Sequence, residues 1–167
     1  MNVGFIGLGI RGRPMAGHLL KGGHSLSVFD LGKVPEELTA GGAKVCACGK
    51  EVAANSDVVI TMVPDTPHVE AALFGKGGVA EGLLPGKIVV DMSSISPIAT
   101  KDFARRITEL GSEYLDAPVS GGDVGAKAAS LTIMVGGAPR LDRHPPIQFA
   151  PSSVQPPPRL SPLQRAR

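Results

Sequence analysis

Three glycines follow the first apolar segment of the chain at a spacing typical of dinucleotide-binding loops. They lie in the stretch GLGIRG, which comprises Gly7, Leu8, Gly9, Ile10, Arg11 and Gly12. The first glycine would permit a tight turn, the second a close approach of backbone N–H groups to a pyrophosphate, and the third close packing of a helix on a strand. A helical pattern follows directly, and its dipole would favour the same anion. The alternative is a glycine-rich turn without a ligand.

An acidic residue, Asp30, ends the second apolar segment, 18 residues after Gly12. Its carboxylate could accept hydrogen bonds from both ribose hydroxyls of an adenosine, and it would repel a 2′-phosphate. Together with the glycine loop, this residue predicts a site that prefers NAD(H). Arg11, Arg13 and Lys33 lie close enough in the sequence to keep NADP(H) possible.

Two later turns, MVPDTP and DMSSISP, also follow apolar segments. Ligands of open α/β sheets collect outside the carboxyl ends of the strands, so both turns should face the same crevice. Ser93 or Ser94 could bind the nicotinamide half of the cofactor, although capping of the next helix is an alternative for these serines and for Ser96. The first turn supplies candidate walls for the adenine and its ribose, namely Val63, Pro64 and Asp65.

The segment DAPVSGG, at residues 116–122, combines a hydroxyl group with two glycines. Ser120 could bind a small carboxylate together with the backbone N–H groups of Gly121 and Gly122. A strand end followed by a flexible turn is an equal alternative. No metal site is predicted, because the four histidines show no spacing typical of metal ligands. These are His18, His24, His68 and His144.

Apolar runs rich in Val and Ile alternate with helical patterns and predict βαβ units. Residues 13–23 show an i, i+4 apolar stripe with Pro14 in the first turn, and residues 96–111 repeat the scheme. The predicted fold class is α/β, a doubly wound and mostly parallel sheet of the Rossmann type. The predicted strands span 2–7, 25–30, 43–47, 57–63, 87–92, 113–119 and 131–137.

Composition divides the chain near Gly137. All 22 glycines lie at or before this residue, whereas 8 of the 15 prolines and five arginines lie in residues 138–167. We therefore expect a dinucleotide-binding domain over 1–137 and a Pro/Arg-rich, disordered tail over 138–167. Scattered arginines without a periodic array argue against a nucleic-acid partner. Without a long apolar run or a targeting pattern, a cytoplasmic protein without membrane contact is expected, with Cys46 and Cys48 reduced.

The motifs GFIGLGIRGRPMAGHLL, MVPDTPHVE, DMSSISPIATK and DAPVSGGDVGAKAASLTIMVGG resemble, in this order, the β-hydroxyacid dehydrogenase family. Within it they are most similar to the tartronate semialdehyde (2-hydroxy-3-oxopropionate) reductases. The resemblance implies a Rossmann domain, an NAD(P)H cofactor, reduction of a small oxo acid to glycerate and a homo-oligomer. It also implies that Ser94 binds the cofactor and that residues 120–122 hold the substrate carboxylate.

The chain departs from the family pattern at several positions. Arg11 replaces the usual Met and His18 the usual Asn, and neither change abolishes the implied site. The family's general acid is a downstream Lys in a G-x-x-x-K helix, whereas this chain has no Lys after Lys127, which we assign to a turn. Loss of such an acid costs about 10²–10⁴-fold in rate, so little turnover is expected. The Pro-rich end suggests a frameshift or a truncated family member.

Three alternatives to this reductase remain open. One is a dinucleotide-binding module without catalysis. Another is a domain of the 3-hydroxyisobutyrate dehydrogenase type, since 3-hydroxyisobutyrate dehydrogenases share the glycine loop and the serine turn with the tartronate semialdehyde reductases. A third treats PPPRLSP, at residues 156–162, as a polyproline ligand of an aromatic groove.

Overall fold

A computed structural model of the protein describes residues 1–136. Within them, strands and helices alternate from the first strand to the sixth, as the sequence predicts. The strands of the main sheet are β1 (Asn2–Ile6), β2 (Ser25–Phe29), β3 (Lys44–Val45), β4 (Val58–Thr61), β5 (Ile88–Asp91) and β6 (Glu113–Asp116). The helices are α1 (Gly12–Lys21), α2 (Glu36–Ala40), α3 (Gly49–Ala54), α4 (Thr66–Phe74), α5 (Pro97–Glu109) and α6 (Gly122–Lys127), with a 3₁₀ turn at Val79–Glu81.

The six strands form one parallel sheet in the order β3-β2-β1-β4-β5-β6. The order reverses between β1 and β4, and in open α/β sheets this is where ligands bind, outside the carboxyl ends of the strands. The prediction of a doubly wound α/β fold is confirmed. The glycine loop follows β1 and therefore lies beside this switch point.

Both faces of the sheet are covered, which explains why its central strands are apolar at consecutive positions. Val58 and Ile60 pack into a core on one face, whereas Val59 packs into a second core on the other. Helix α1 contributes Leu19 to the first core, and α5 contributes Phe103 to the second. The strand ends thus stand on a scaffold that is packed from both sides.

The predicted strand at 113–119 is wrong as a single element. β6 ends at Asp116, and after Ala117 and Pro118 a separate strand, β7 (Val119–Ser120), pairs antiparallel with β8 (Thr132–Ile133). Pro118 has no N–H to donate to a neighbouring strand, and its carbonyl instead accepts from the Met134 N–H at 3.0 Å. Of the predicted strand 131–137, Thr132–Ile133 belong to this small sheet, and Gly136 forms an isolated antiparallel bridge with Asp116.

The cysteines lie within the described residues, whereas the C-terminal tail does not. Cys46 is buried and Cys48 half-buried, and both are free thiols, as expected. The predictions for the tail 138–167, for its segment 156–162 and for the domain boundary at 137 fall outside the described residues. Among residues 1–136, no helix is both long and apolar enough to cross a membrane.

Candidate functional site

The glycine loop makes a tight turn that only glycine satisfies at two of its positions. Gly7 has a φ of +95°, and a Cβ there would lie 2.3 Å from the carbonyl oxygen of Met62. A Cβ on Gly12 would lie 1.9 Å from the carbonyl oxygen of Gly7. Gly9 differs, because nothing lies within 4 Å of the position of its Cβ. Packing within the chain explains why residues 7 and 12 are glycines, whereas Gly9 faces open space.

Unused hydrogen-bond donors face outward where the loop enters α1. Gly7 N–H donates to the Phe29 carbonyl, but the N–H groups of Gly9, Ile10 and Arg11 have no acceptor among the described residues. Arg11 precedes α1, and no side chain caps the start of this helix. Free N–H groups at the start of a ten-residue helix, beside an open glycine, fit an anion such as a pyrophosphate.

Asp30 follows β2 and lies directly against the glycine loop. One carboxylate oxygen accepts from the Leu8 N–H at 2.6 Å, and the other accepts from the Gly32 N–H at 2.7 Å. Each carboxylate oxygen can accept a second hydrogen bond, so the group still has capacity for a ribose hydroxyl. Asp30 also lines a pocket of roughly 480 Å³ with residues that follow it in the chain, among them Gly32, Lys33 and Glu36.

The turn after β4 brings Val63, Pro64 and Asp65 to the same edge of the sheet. Val63 lies against the loop, because a Cβ on Gly7 would be 2.9 Å from its Cγ1. Asp65 accepts hydrogen bonds from His68, at 3.2 Å from the backbone N–H and 2.5 Å from Nδ1, and thereby caps α4. The hydrogen bond from the His68 side chain holds the pKa of Asp65 below its ordinary value.

The structure separates the serines that follow β5. Ser93 is buried, and its Oγ accepts from the Val63 N–H at 3.0 Å, so its hydroxyl supports the neighbouring turn. Ser94 is exposed at the edge of the sheet, where a ligand can reach it. Ser96 occupies the N-cap position of α5, yet its side chain makes no capping hydrogen bond. The capping alternative is therefore wrong for the Ser96 side chain.

A buried polar network lies beneath these turns and was not predicted from the sequence. Asp91, which has no exposed surface, accepts from Thr61 Oγ1 at 2.9 Å, from the Ser93 N–H at 3.0 Å and from the Tyr114 hydroxyl at 3.0 Å. These bonds join the last residues of β4 and β5 to each other and to Tyr114, the second residue of β6. Burial, followed by the charge of Asp91, raises the pKa of Tyr114, so this hydroxyl stays a donor. The available signal was that polar residues, Thr61 and Asp91, end two of the buried strands.

The serine turn begins at the end of β7 and runs into α6. Gly121 and Gly122 have φ values of +128° and +62°, which favour glycine, and Ser120 is exposed beside them. His18 Nε2 on α1 lies 3.0 Å from the Ala126 carbonyl oxygen and 3.1 Å from that of Lys127, so it links α6 to α1.

Lys127 was assigned to a turn, and this is wrong, because it is the last residue of α6. Its exposed ammonium pairs with Asp123 one turn earlier at 3.6 Å. The lysine therefore has the contacts of an ordinary surface residue on a helix.

Comparison with known proteins agrees with this geometry. Residues 2–146 match the family model described as the NAD binding domain of 6-phosphogluconate dehydrogenase. The chain is 55% identical over 137 residues to a 2-hydroxy-3-oxopropionate reductase of Escherichia coli (strain K12), covering 82% of this chain and 47% of that protein.

Two solved structures share the fold. A 3-hydroxyisobutyrate dehydrogenase of Mycobacterium tuberculosis with L-serine is 35% identical, with a TM-score of 0.74 over 85% of this chain and 48% of that one. Psf3 in complex with NADP+ and 2-OPP is 29% identical, with a TM-score of 0.77 over 82% and 49%. The chain thus spans about half the length of the relatives that it matches.

Proposed function

This chain belongs to the β-hydroxyacid dehydrogenase family through its NAD-binding domain, and we propose that it binds a nicotinamide dinucleotide across the carboxyl edge of its main sheet. One observation carries the proposal: the unpaired N–H groups of residues 9–11 stand at the start of α1, beside a glycine with open space around it. A pyrophosphate would accept from these groups and interact favourably with the helix dipole.

The adenosine would lie on the β2 side of the loop, with a ribose hydroxyl on Asp30. The two backbone N–H groups that donate to Asp30 hold its carboxylate in place, which reduces the entropy lost on binding a ribose. A 2′-phosphate at this position would meet that carboxylate, so we propose a preference for NADH over NADPH. The nicotinamide half would extend past Val63 towards Ser94, whose side chain is exposed.

The reaction that we propose for the protein is reduction of 2-hydroxy-3-oxopropionate to glycerate, on the basis of its 55% identical relative. The reduced nicotinamide, when bound, would supply a hydride for the aldehyde carbon, and the alkoxide oxygen that forms would take its proton from water. Ser120 and the N–H groups of Gly121 and Gly122 would hold the substrate carboxylate, because a hydroxyl and backbone amides bind such a group without any lysine or arginine. His18 would keep this turn at a fixed distance from the cofactor helix through its contact with α6.

Oxidation of a 3-hydroxy acid is the second candidate reaction. The similarity to the 3-hydroxyisobutyrate dehydrogenase of Mycobacterium tuberculosis favours it, because that match covers 85% of this chain. Both reactions need the same cofactor loop and the same carboxylate contact, so one binding experiment tests what they share.

The experiment compares Gly9→Ala with Gly17→Ala by fluorescence titration of NADH. A Cβ at residue 9 meets nothing in the chain but would occupy the space of the pyrophosphate, so we expect about tenfold weaker binding or more at unchanged stability. Gly17 lies inside α1, where a Cβ comes no closer than 4.0 Å to Leu38, so its alanine variant should bind NADH as the parent does. Equal binding by Gly9→Ala and the parent would refute the proposed site.

A further inference from the structure

An ion pair joins the starts of the two helices beside the proposed adenosine site. Nε and Nη2 of Arg13, in the first turn of α1, donate to the two carboxylate oxygens of Glu37, in the first turn of α2. The hydrogen bond from Arg13 also holds the pKa of Glu37 below its ordinary value, so the pair is charged at neutral pH. This bidentate contact uses the guanidinium edge with which arginine binds phosphates.

The two helices that the pair connects start next to the place where the ribose would lie. Glu36, next to Glu37 in the chain, lines the 480 Å³ pocket together with Asp30. On the other side, the Leu8 N–H bond ties Asp30 to the loop from which α1 starts, and Arg13 follows that loop directly. Asp30 therefore lies next to the starts of α1 and α2, the two helices that the ion pair connects.

A 2′-phosphate would bring added negative charge to this border and would need a cation. Arg13 is well suited by chemistry and by its place directly after the loop, but Glu37 engages the Nε–Nη2 edge of its guanidinium, which is two of its five N–H donors. We infer that Glu37 is a specificity-determining residue, which holds Arg13 away from a 2′-phosphate and so favours NADH over NADPH. This inference rests on the proposed dinucleotide site.

Two neighbours help to isolate the effect. Lys33 lines the pocket and has no carboxylate partner within residues 1–136, so it is available to a phosphate whether or not Glu37 is present. Glu36 stands in the same helical turn and carries the same charge, but it makes no ion pair with Arg13. Neutralising Glu36 changes the local charge as much as neutralising Glu37 does, without releasing the guanidinium.

The test titrates NADH and NADPH into the full 167-residue chain, followed by fluorescence, for the parent and for E37Q, E36Q and R13A/E37Q. We expect E37Q to bind NADPH about fivefold more tightly, a modest gain because the pair that it breaks is exposed, with NADH binding changed less than about twofold. E36Q removes one negative charge from the pocket but releases no guanidinium, so it should tighten NADPH binding less than E37Q does, and R13A/E37Q should tighten it no more than E36Q does.

Each result discriminates between causes. If E36Q matches E37Q, or if R13A/E37Q keeps the gain, net charge and not the release of Arg13 sets the preference, and the inference is overturned. It is overturned as well if E37Q leaves NADPH binding unchanged while NADH binds normally. Failure of the parent to bind NADH, with a circular dichroism spectrum of a folded α/β protein, would instead refute the proposed function, and the inference with it.

Discussion

Replacing Asp91 tests whether the buried network fixes the edge of the sheet on which the cofactor would lie. Asp91→Ala removes the acceptor of three hydrogen bonds, from Thr61, Ser93 and Tyr114, all of which are buried. An unsatisfied buried donor costs about 1–3 kcal/mol, and small relaxations recover part of the total. We expect the free energy of unfolding to fall by about 3–5 kcal/mol.

A smaller change probes one branch of the network. Tyr114→Phe removes the hydroxyl and leaves Asp91 with two donors, so we expect a loss of about 1–2 kcal/mol in the parent background. In the Asp91→Ala background the hydroxyl has already lost its acceptor. Its removal there should cost nothing or should stabilise the protein, because an unsatisfied buried group disappears. The difference between the two backgrounds is the coupling energy of the pair.

Urea unfolding followed by circular dichroism gives these free energies and the slope of each transition. An unchanged slope shows that the variants lose stability and do not change the surface exposed on unfolding. A loss below about 1 kcal/mol for Asp91→Ala would refute the reasoning, since it would mean that water reaches the three donors. Equal costs of Tyr114→Phe in both backgrounds would show that the hydroxyl does not interact with Asp91.

Two further predictions concern the other carboxylates at this edge. Asp30→Ala should weaken NADH binding more than NADPH binding in fluorescence titrations, because only NADH offers it a free ribose 2′-hydroxyl; equal losses would mean that Asp30 merely supports the loop through Leu8 and Gly32. For Asp116, burial and then the charge of Asp91 raise the pKa above 3.8, so the folded protein loses stability as pH rises from that value through the raised pKa. Asp116→Asn cannot ionise and should gain stability relative to the parent over this window, as measured by urea unfolding between about pH 3.5 and about pH 7, whereas a constant difference would contradict the shift.

Local patterns made much of this fold predictable. The loop at 7–12 lies between a strand and a helix whose apolar positions are close in sequence, and Pro14 and Gly22 mark the two ends of that helix. Asp30 was predictable for the same reason, since it ends a strand at a fixed distance from the loop. The break in the strand at 113–119 was missed, although Pro118 is itself a signal that a strand cannot continue in a ladder.

Contacts between distant residues were not predictable from one sequence. Thr61 and Tyr114 reach Asp91 across 30 and 23 residues, and Arg13 reaches Glu37 across 24. Hydrophobic periodicity identifies the face on which a residue lies but does not give the register between two strands. The sequence therefore indicated that Thr61 and Asp91 end strands, and only the structure showed that they meet each other and Tyr114.

Three carboxyl groups stand at the ends of three strands, and the donors around each one separate their roles. Asp30 accepts two backbone N–H bonds at the surface, so it is fixed in place and can still bind a hydroxyl. Asp91 is enclosed by donors from β4, β6 and its own turn, which makes it a connection between strands. Asp116 pairs with Asp91 across the sheet, and its carboxylate has no donor within the described residues. The same residue type at equivalent strand ends thus has three roles. Asp30 is available to a ligand, Asp91 connects strands of the scaffold, and the charge of Asp116 has no hydrogen-bond donor among residues 1–136 to offset its burial.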